Sequence, residues 1–209
     1  MFGDPVTNPM GWEHGTIRDI VTEVKYGTSK PSVDGGSYPY LRMNNITFGG
    51  QLDITDMKYI DLPNNEIEKY IVRKGDVLFN RTNSKELVGK TCVFNLDEPM
   101  VIAGYIIRIR LNDKAIPIYL STVLNSDYGK LTLNLMCKKI IGMANINAQE
   151  LQDIAILIPP KDLQNAFAAF VHQVDKSKFS DRKWVETFAP SHTLLSDLIG
   201  KHQKIHLPE

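Results

Sequence analysis

A chain of 209 residues that is 43% hydrophobic has material for one substantial core, or for a core with a small appendage. Its 24 basic residues balance 24 acidic ones, which excludes a histone-like coat of positive charge but leaves room for a local basic groove. The charged fraction, 23%, is that of an ordinary globular protein.

The first ten residues, with Gly3-Asp4-Pro5 and Asn8-Pro9, read as an irregular lead-in. They lack the basic region and apolar run of a signal peptide. From Trp12 an ordered stretch begins, in which Ile17, Ile20, Val21 and Val24 recur at three- and four-residue spacing. That spacing suits either a brief helix or a strand with a helical turn. Residues 25–36, rich in Gly, Ser, Pro and Asp, form a loop. Residues 38–43 read as extended, because Pro39 turns Tyr38 away from helix. Tyr38 and Tyr40 alternate with Pro39 and Leu41, so one tyrosine is buried. Asn44-Asn45 and Gly49-Gly50 are turns. Gly75-Asp76 is a tight turn into a strand at 77–79, where Phe79 belongs to the core. Strands follow at 91–94 and 103–110, the second alternating basic and apolar residues as a half-buried strand does.

Residues 116–135 place Ile118, Leu120, Val123, Leu124, Tyr128, Leu131 and Leu135 mostly on one broad face, which predicts a single helix. Residues 154–158 make a compact strand stopped by Pro159-Pro160. Residues 161–188 contain neither Gly nor Pro, and Leu163, Ala166, Phe167, Phe170, Val174, Val185 and Phe188 form a stripe at helical spacing. Ser177 and Asp181 interrupt it. Such a helix is about 40 Å long, and it either projects or packs on a partner. Pro190 ends it, and Ser191 caps a short final helix carrying Leu194, Leu195, Leu198 and Ile199.

No enzyme motif occupies this frame. Gly35-Gly36 and Gly49-Gly50 are isolated pairs without the spacing of a nucleotide-binding loop. Of the five histidines only His202 and His206 share helical spacing, and they read as solvated tail residues. Asp53 and Asp56 sit among turn residues and read as a solvated loop. A serine-nucleophile elbow is absent, and neither Asn8-Pro9 nor Pro159-Pro160 supplies the loop an adenine methyltransferase needs. Cys92 and Cys137, with no CxxC pair, read as buried free thiols of a reducing compartment. The apolar runs are too short to span a bilayer, so the chain reads as soluble and cytoplasmic.

The charge map says more. Residues 128–149 hold no Asp or Glu but carry Lys130, Lys138, Lys139, Asn134, Asn145, Asn147 and Gln149. In the segment before, Arg73, Lys74, Arg81, Lys85 and Lys90 outweigh Asp76 and Glu86. Lys and Arg neutralise phosphates; Arg suits the guanine edge, and Asn or Gln the adenine edge. Arg42 and Arg81 stand either as strand-end ion pairs or as DNA contacts.

Several segments, in order, resemble the target-recognition domain of type I restriction–modification specificity subunits. They are Asn8-Pro9-Met10-Gly11-Trp12-Glu13, the run from Tyr38 through Tyr40, Leu41 and Arg42 to Asn44-Asn45-Ile46, Lys74-Gly75-Asp76-Val77-Leu78-Phe79-Asn80-Arg81 with Gly89-Lys90, Ile158-Pro159-Pro160 with Gln164, and Asp175-Lys176-Ser177-Lys178-Phe179. The resemblance covers roughly residues 8–180. It implies a mixed α+β fold, a recognition domain with a β-sheet core at 1–160 and a coiled-coil-type dimerisation helix at 161–189; the short helix and tail at 190–209 do not look like the family's usual continuation. It implies a non-catalytic half-subunit that reads double-stranded DNA. Modification subunits carrying S-adenosylmethionine would methylate adenine, and restriction subunits using ATP and Mg would cut. The expected DNA-binding residues are Arg42, Asn44, Asn45, Arg81, Asn83, Lys85, Lys90, Lys138, Lys139 and Asn145. The expected homodimer and subunit interface is Leu163, Phe167, Phe170, Val174, Val185 and Phe188. No catalytic or metal-binding residue is expected. The rival reading is a truncated assembly module with little DNA binding of its own.

Overall fold

A computed structural model describes residues 1–84, 86–137 and 144–188, with side chains as far as residue 174. The expected tail helix after Pro190 lies outside these residues. In chain order the strands and helices are β1 (Glu13–Thr16), β2 (Val21–Tyr26), β3 (Tyr38–Leu41), β4 (Lys58–Ile60), α1 (Asn64–Tyr70), β5 (Ile71–Val72), β6 (Val77–Asn80), β7 (Thr82–Asn83), β8 (Thr91–Val93), β9 (Met100–Ile102), β10 (Ile106–Leu111), α2 (Pro117–Asn125), α3 (Asp127–Met136), β11 (Ala144–Asn145), α4 (Ala148–Gln152), β12 (Ala155–Ile158) and α5 (Lys161–Phe188). The fold is mixed α and β, as the sequence predicts. Two compact units divide the chain, Met1–Phe167 and Ala168–Glu209.

In the first unit an antiparallel sheet of order β2-β10-β6-β8 stands beside a mixed sheet of order β4-β3-β9-β5, in which β3 and β9 run parallel. Alternation sorts the side chains of the first sheet. Val77, Phe79, Ile107 and Ile109 join Leu120, Leu124, Leu133 and Leu151 from the helices in one cluster. Leu78, Cys92 and Ile106 take the opposite face and meet Leu41, Val72 and Ile102 from the second sheet. Both faces are therefore covered, and the half-buried reading of residues 103–110 fails. Arg108 is 1% exposed, and it donates to the Ile71 carbonyl and to Glu23.

The stretch around Ile17 resolves as a strand with a helical turn: β1, a 3-10 turn over Ile17–Ile20, then β2. Asp19 accepts hydrogen bonds from the Thr16 N–H and hydroxyl, which closes the turn. Gly75 takes φ +94, a conformation that glycine adopts without strain, and Asp76 accepts from the Arg73 N–H. That pair of contacts is why Gly-Asp launches β6. Of the two tyrosines on β3, Tyr40 is the buried one. Cys92 and Cys137 are both buried, and burial pushes the Cys92 thiol up to about 12.

The single helix expected over 116–135 is two. Ser126 leaves helical backbone, accepts from the Gly129 N–H and so caps α3. Capping chemistry here outweighs a continuous apolar face. Two short helices escaped the sequence reading. For α4 the signal was present: Asn147 accepts from the Gln149 and Glu150 N–H groups while Glu150 accepts from the Asn147 N–H. The start of α5 is pinned to its own unit, since buried Gln164 accepts from the Ile116 N–H and donates to Lys114 and Pro159 carbonyls. No helix among the described residues is long and apolar enough to cross a membrane.

Candidate nucleic-acid interface

Three segments that are distant in sequence converge where β2, β3 and β9 end. Gly27 N–H donates to Ile106 O, Thr28 N–H to Ile102 O, and Ala103 N–H to Leu41 O. A side chain at Gly27 would collide with the Ile102 and Ala103 carbonyls, so only glycine permits this crossing. Beyond it the chain loops over residues 28–32. The Tyr40 hydroxyl lies 3.0 Å from the Thr28 carbonyl and 2.9 Å from the Lys30 carbonyl and donates to them, tying the loop down. Burial raises the Tyr40 phenol above its ordinary value, so it remains a donor at any physiological pH.

This convergence leaves a cleft of about 500 Å³ whose walls include Lys30, Arg42, Asn44, Arg81 and Tyr105. Three of the expected DNA contacts thus share one concavity although nearly forty residues separate Asn44 from Arg81. Arg42 hangs from the end of β3 and donates to the Asp56 carboxylate at 2.8 Å; Asp56 is 75% exposed. Arg81 follows β6 directly, and its guanidinium lies over the Tyr26 ring, 4.8 Å from the centroid. Asn44 is exposed. Lys30 pairs with Glu66 at 2.8 Å, and its charge with that hydrogen bond keeps the Glu66 carboxyl below its usual range.

From the Arg81 side the chain runs into a two-stranded ribbon of β7 and β11. Here Asn145 is exposed and accepts from the Thr82 hydroxyl at 2.8 Å. Asn83 is half-buried and accepts from the Ser84 N–H. The ribbon puts Asn83 and Asn145 on neighbouring strands, close in chain to Arg81.

Two expected contacts are structural instead. Asn45 is 2% exposed, and its amide is consumed internally: it accepts from the Arg42 N–H and donates to the Asp53 and Asp56 carbonyls. It shapes the loop that carries Arg42 rather than touching a ligand. Lys90 is 7% exposed and donates to the Met43 carbonyl at 2.8 Å. Burial lowers its ammonium below the ordinary lysine value, against the pull of Cys92. Lys85, Lys138 and Lys139 lie outside the described residues.

On α5, Phe167 is half-buried and stacks edge-on against Phe2, whose ring also meets Tyr119. It belongs to the first unit's packing. Leu163 and Val174 are half-buried and Phe170 is 56% exposed, while the side chains of Val185 and Phe188 are outside the described set. The residues the sequence reading missed are Tyr26, Lys30 and Tyr105. Nothing in their local pattern marks them, since their place depends on how three strand ends meet.

Chemically the cleft offers two guanidiniums, an exposed amide and an aromatic rim, a set suited to phosphate oxygens and base edges. Among the described residues no group of acidic, histidine or cysteine side chains could hold a metal ion.

Comparison with known proteins places the chain in a family. A family model described as type I restriction modification DNA specificity domain matches residues 9–182. The putative type I restriction enzyme MjaX specificity subunit of Methanocaldococcus jannaschii is 28% identical over 182 residues, covering 85% of this chain and 43% of that protein. The EcoKI specificity subunit of Escherichia coli is 26% identical over 162 residues, covering 76% of this chain and 35% of that protein. In fold, the chain is similar to the HsdS subunit from Thermoanaerobacter tengcongensis, with a TM-score of 0.60 at 22% identity over 91% of this chain and 43% of that one. The chain thus spans less than half the length of these relatives. These relatives are named as specificity subunits. Because that family model covers most of the sequence, the chain belongs to the type I restriction modification DNA specificity domain family, and it carries one recognition domain.

Proposed function

We propose that this chain reads a half-site of duplex DNA through the cleft of Arg42, Asn44 and Arg81 and the adjoining β7–β11 ribbon. It would direct adenine methylation and restriction carried out by partner subunits. The observation that carries the reading is the meeting of Arg42 and Arg81 in one cleft of a domain whose family is DNA specificity. S-adenosylmethionine, ATP and Mg belong to the partner subunits in this reading. Lys138 and Lys139 add phosphate contacts, and general affinity is electrostatic.

In the same reading α5 is a coiled-coil docking helix and the chain is a two-fold half-subunit. Its support is the apolar stripe and the 56% exposure of Phe170. A homodimer reads a symmetric, interrupted site, because protein symmetry is mirrored in the half-sites.

Selection of bound sites from a random duplex library, with and without a modification subunit, tests the reading. An enriched sequence is expected, together with a flatter salt dependence after Lys138 and Lys139 are changed to Glu. Retention of no duplex under either condition overturns it in favour of an assembly module. Sedimentation of the wild type and of Phe170→Glu, Val174→Glu tests the dimer; a monomeric wild type at tens of micromolar removes it.

A further inference from the structure

Resting on the DNA reading above, the geometry points to Tyr26 as a positioning residue for Arg81, and to a division of labour in which Arg81 discriminates bases while Arg42 supplies exchangeable phosphate affinity.

Tyr26 is held at both ends. Its backbone closes β2 and pairs with Ile107 of β10. Its phenol oxygen accepts the Ala148 N–H at 2.7 Å, at the first residue of α4. The ring between these anchors lies under the Arg81 guanidinium. Arg81 is itself fixed through its backbone, whose N–H donates to the Tyr105 carbonyl and whose carbonyl accepts from the Ile146 N–H, both at 2.9 Å.

What the stack leaves undone matters most. Among the described residues no carboxylate pairs with Arg81; its buried Nε has no hydrogen-bond partner, which is true of Arg42 as well. A ring face fixes the plane of a guanidinium without satisfying its N–H groups. A carboxylate would satisfy them and cancel the charge. Arg81 therefore keeps its charge uncancelled and its terminal N–H groups unpaired, and a planar guanidinium of that kind suits a bidentate contact to guanine.

Arg42 is arranged the other way. Its terminal nitrogen donates to both the Asp56 carboxylate and the Asp56 carbonyl. An exposed carboxylate is displaced readily by a phosphate of the same charge. Exchange of one anion for another carries no sequence information.

The test compares binding to the selected duplex and to random duplex, under the conditions of the selection. Tyr26→Leu removes the ring, Tyr26→Phe keeps it, and Arg81→Lys keeps the charge without the planar fork. Tyr26→Leu and Arg81→Lys are each expected to cut the ratio of selected to random affinity about tenfold, within the range of one bidentate contact. Tyr26→Phe should restore most of the ratio. Adding Tyr26→Leu to Arg81→Ala should cost nothing further. The salt slope should hold for Tyr26→Leu and fall by about one for Arg42→Ala. Equal losses on both duplexes, or additive effects at Tyr26 and Arg81, overturn the inference; Arg81→Lys and Tyr26→Phe decide it even where Tyr26→Leu fails to fold. A wild type that prefers no sequence overturns the DNA reading itself, before any variant is compared.

Discussion

Arg108 on β10 and Arg81 just past the neighbouring strand β6 have opposite surroundings. Arg108, in the middle of β10, is sealed between the two sheets. There it bonds to the Ile71 carbonyl and pairs with Glu23, while Glu23 and Asp76 also hold Arg110. Arg81, just past the end of β6, opens onto the cleft and rests on an aromatic face with no carboxylate beside it among the described residues. Inside the protein a guanidinium must be neutralised, because a lone buried charge is too costly. At the cleft the same group keeps its charge because solvent still reaches it. For these two arginines the difference in surroundings separates a group spent on folding from one left unpaired at the cleft.

The largest expected effect lies on the interior side of this comparison. Glu23→Ala should destabilise the fold by about 3 kcal/mol, since it strips the carboxylate from a buried arginine. Arg81→Ala should move stability by less than about 0.5 kcal/mol, as surface changes do. Urea unfolding of both variants checks the contrast, and similar losses for the two would erase it.

Asn45→Ala comes next. It leaves the Arg42 N–H and the Asp53 and Asp56 carbonyls without their partner, at a cost of about 1–3 kcal/mol. Because that loop carries Arg42, duplex affinity should fall along with the melting temperature. Unchanged stability with lost binding would return Asn45 to the list of direct contacts.

Acid should weaken the interior pairing. Burial alone would raise the Glu23 carboxyl, but hydrogen bonds from Lys25 and Arg108 and the charges of Arg108 and Arg110 outweigh it and hold the group below 4.5. A carboxyl depressed in the folded state contributes stability that is full above its unfolded value and lost as pH falls through its folded one. Unfolding curves between pH 6 and pH 3 should therefore steepen in the wild type and flatten in Glu23→Gln. A variant with the wild-type slope would move the acid sensitivity to other carboxylates.

The smallest effect belongs to Asp56. Asp56→Asn releases Arg42 and should raise affinity for random duplex by at most about fivefold, since an exposed ion pair contributes up to about 1 kcal/mol. Weaker binding would mean that Asp56 orients Arg42 rather than competing for it.

Elements whose signal is local could be read from the chain. The β6 turn needs only Gly75 and Asp76, β12 only its apolar run before Pro159, and α5 only an uninterrupted helical stretch. The break at Ser126 could also have been read, because a capping serine followed by Asp127 and Gly129 is a helix start in its own right. Of the candidate site, Arg42, Asn44 and Arg81 were legible as residue types suited to DNA. Asn45 and Lys90 carried the same chemistry in sequence and were indistinguishable from them.

By itself, then, the sequence determined the family, the elements with a local signal and the supply of basic and amide side chains, because periodicity, turn chemistry and motif order are properties of the chain in one dimension. Only the tertiary structure decided which of those side chains remain free. Glu23 meets Arg108 across 85 residues and Lys90 reaches Met43 across 47. A charge is neutralised or left available by whatever the fold brings against it, and no local pattern records that neighbour.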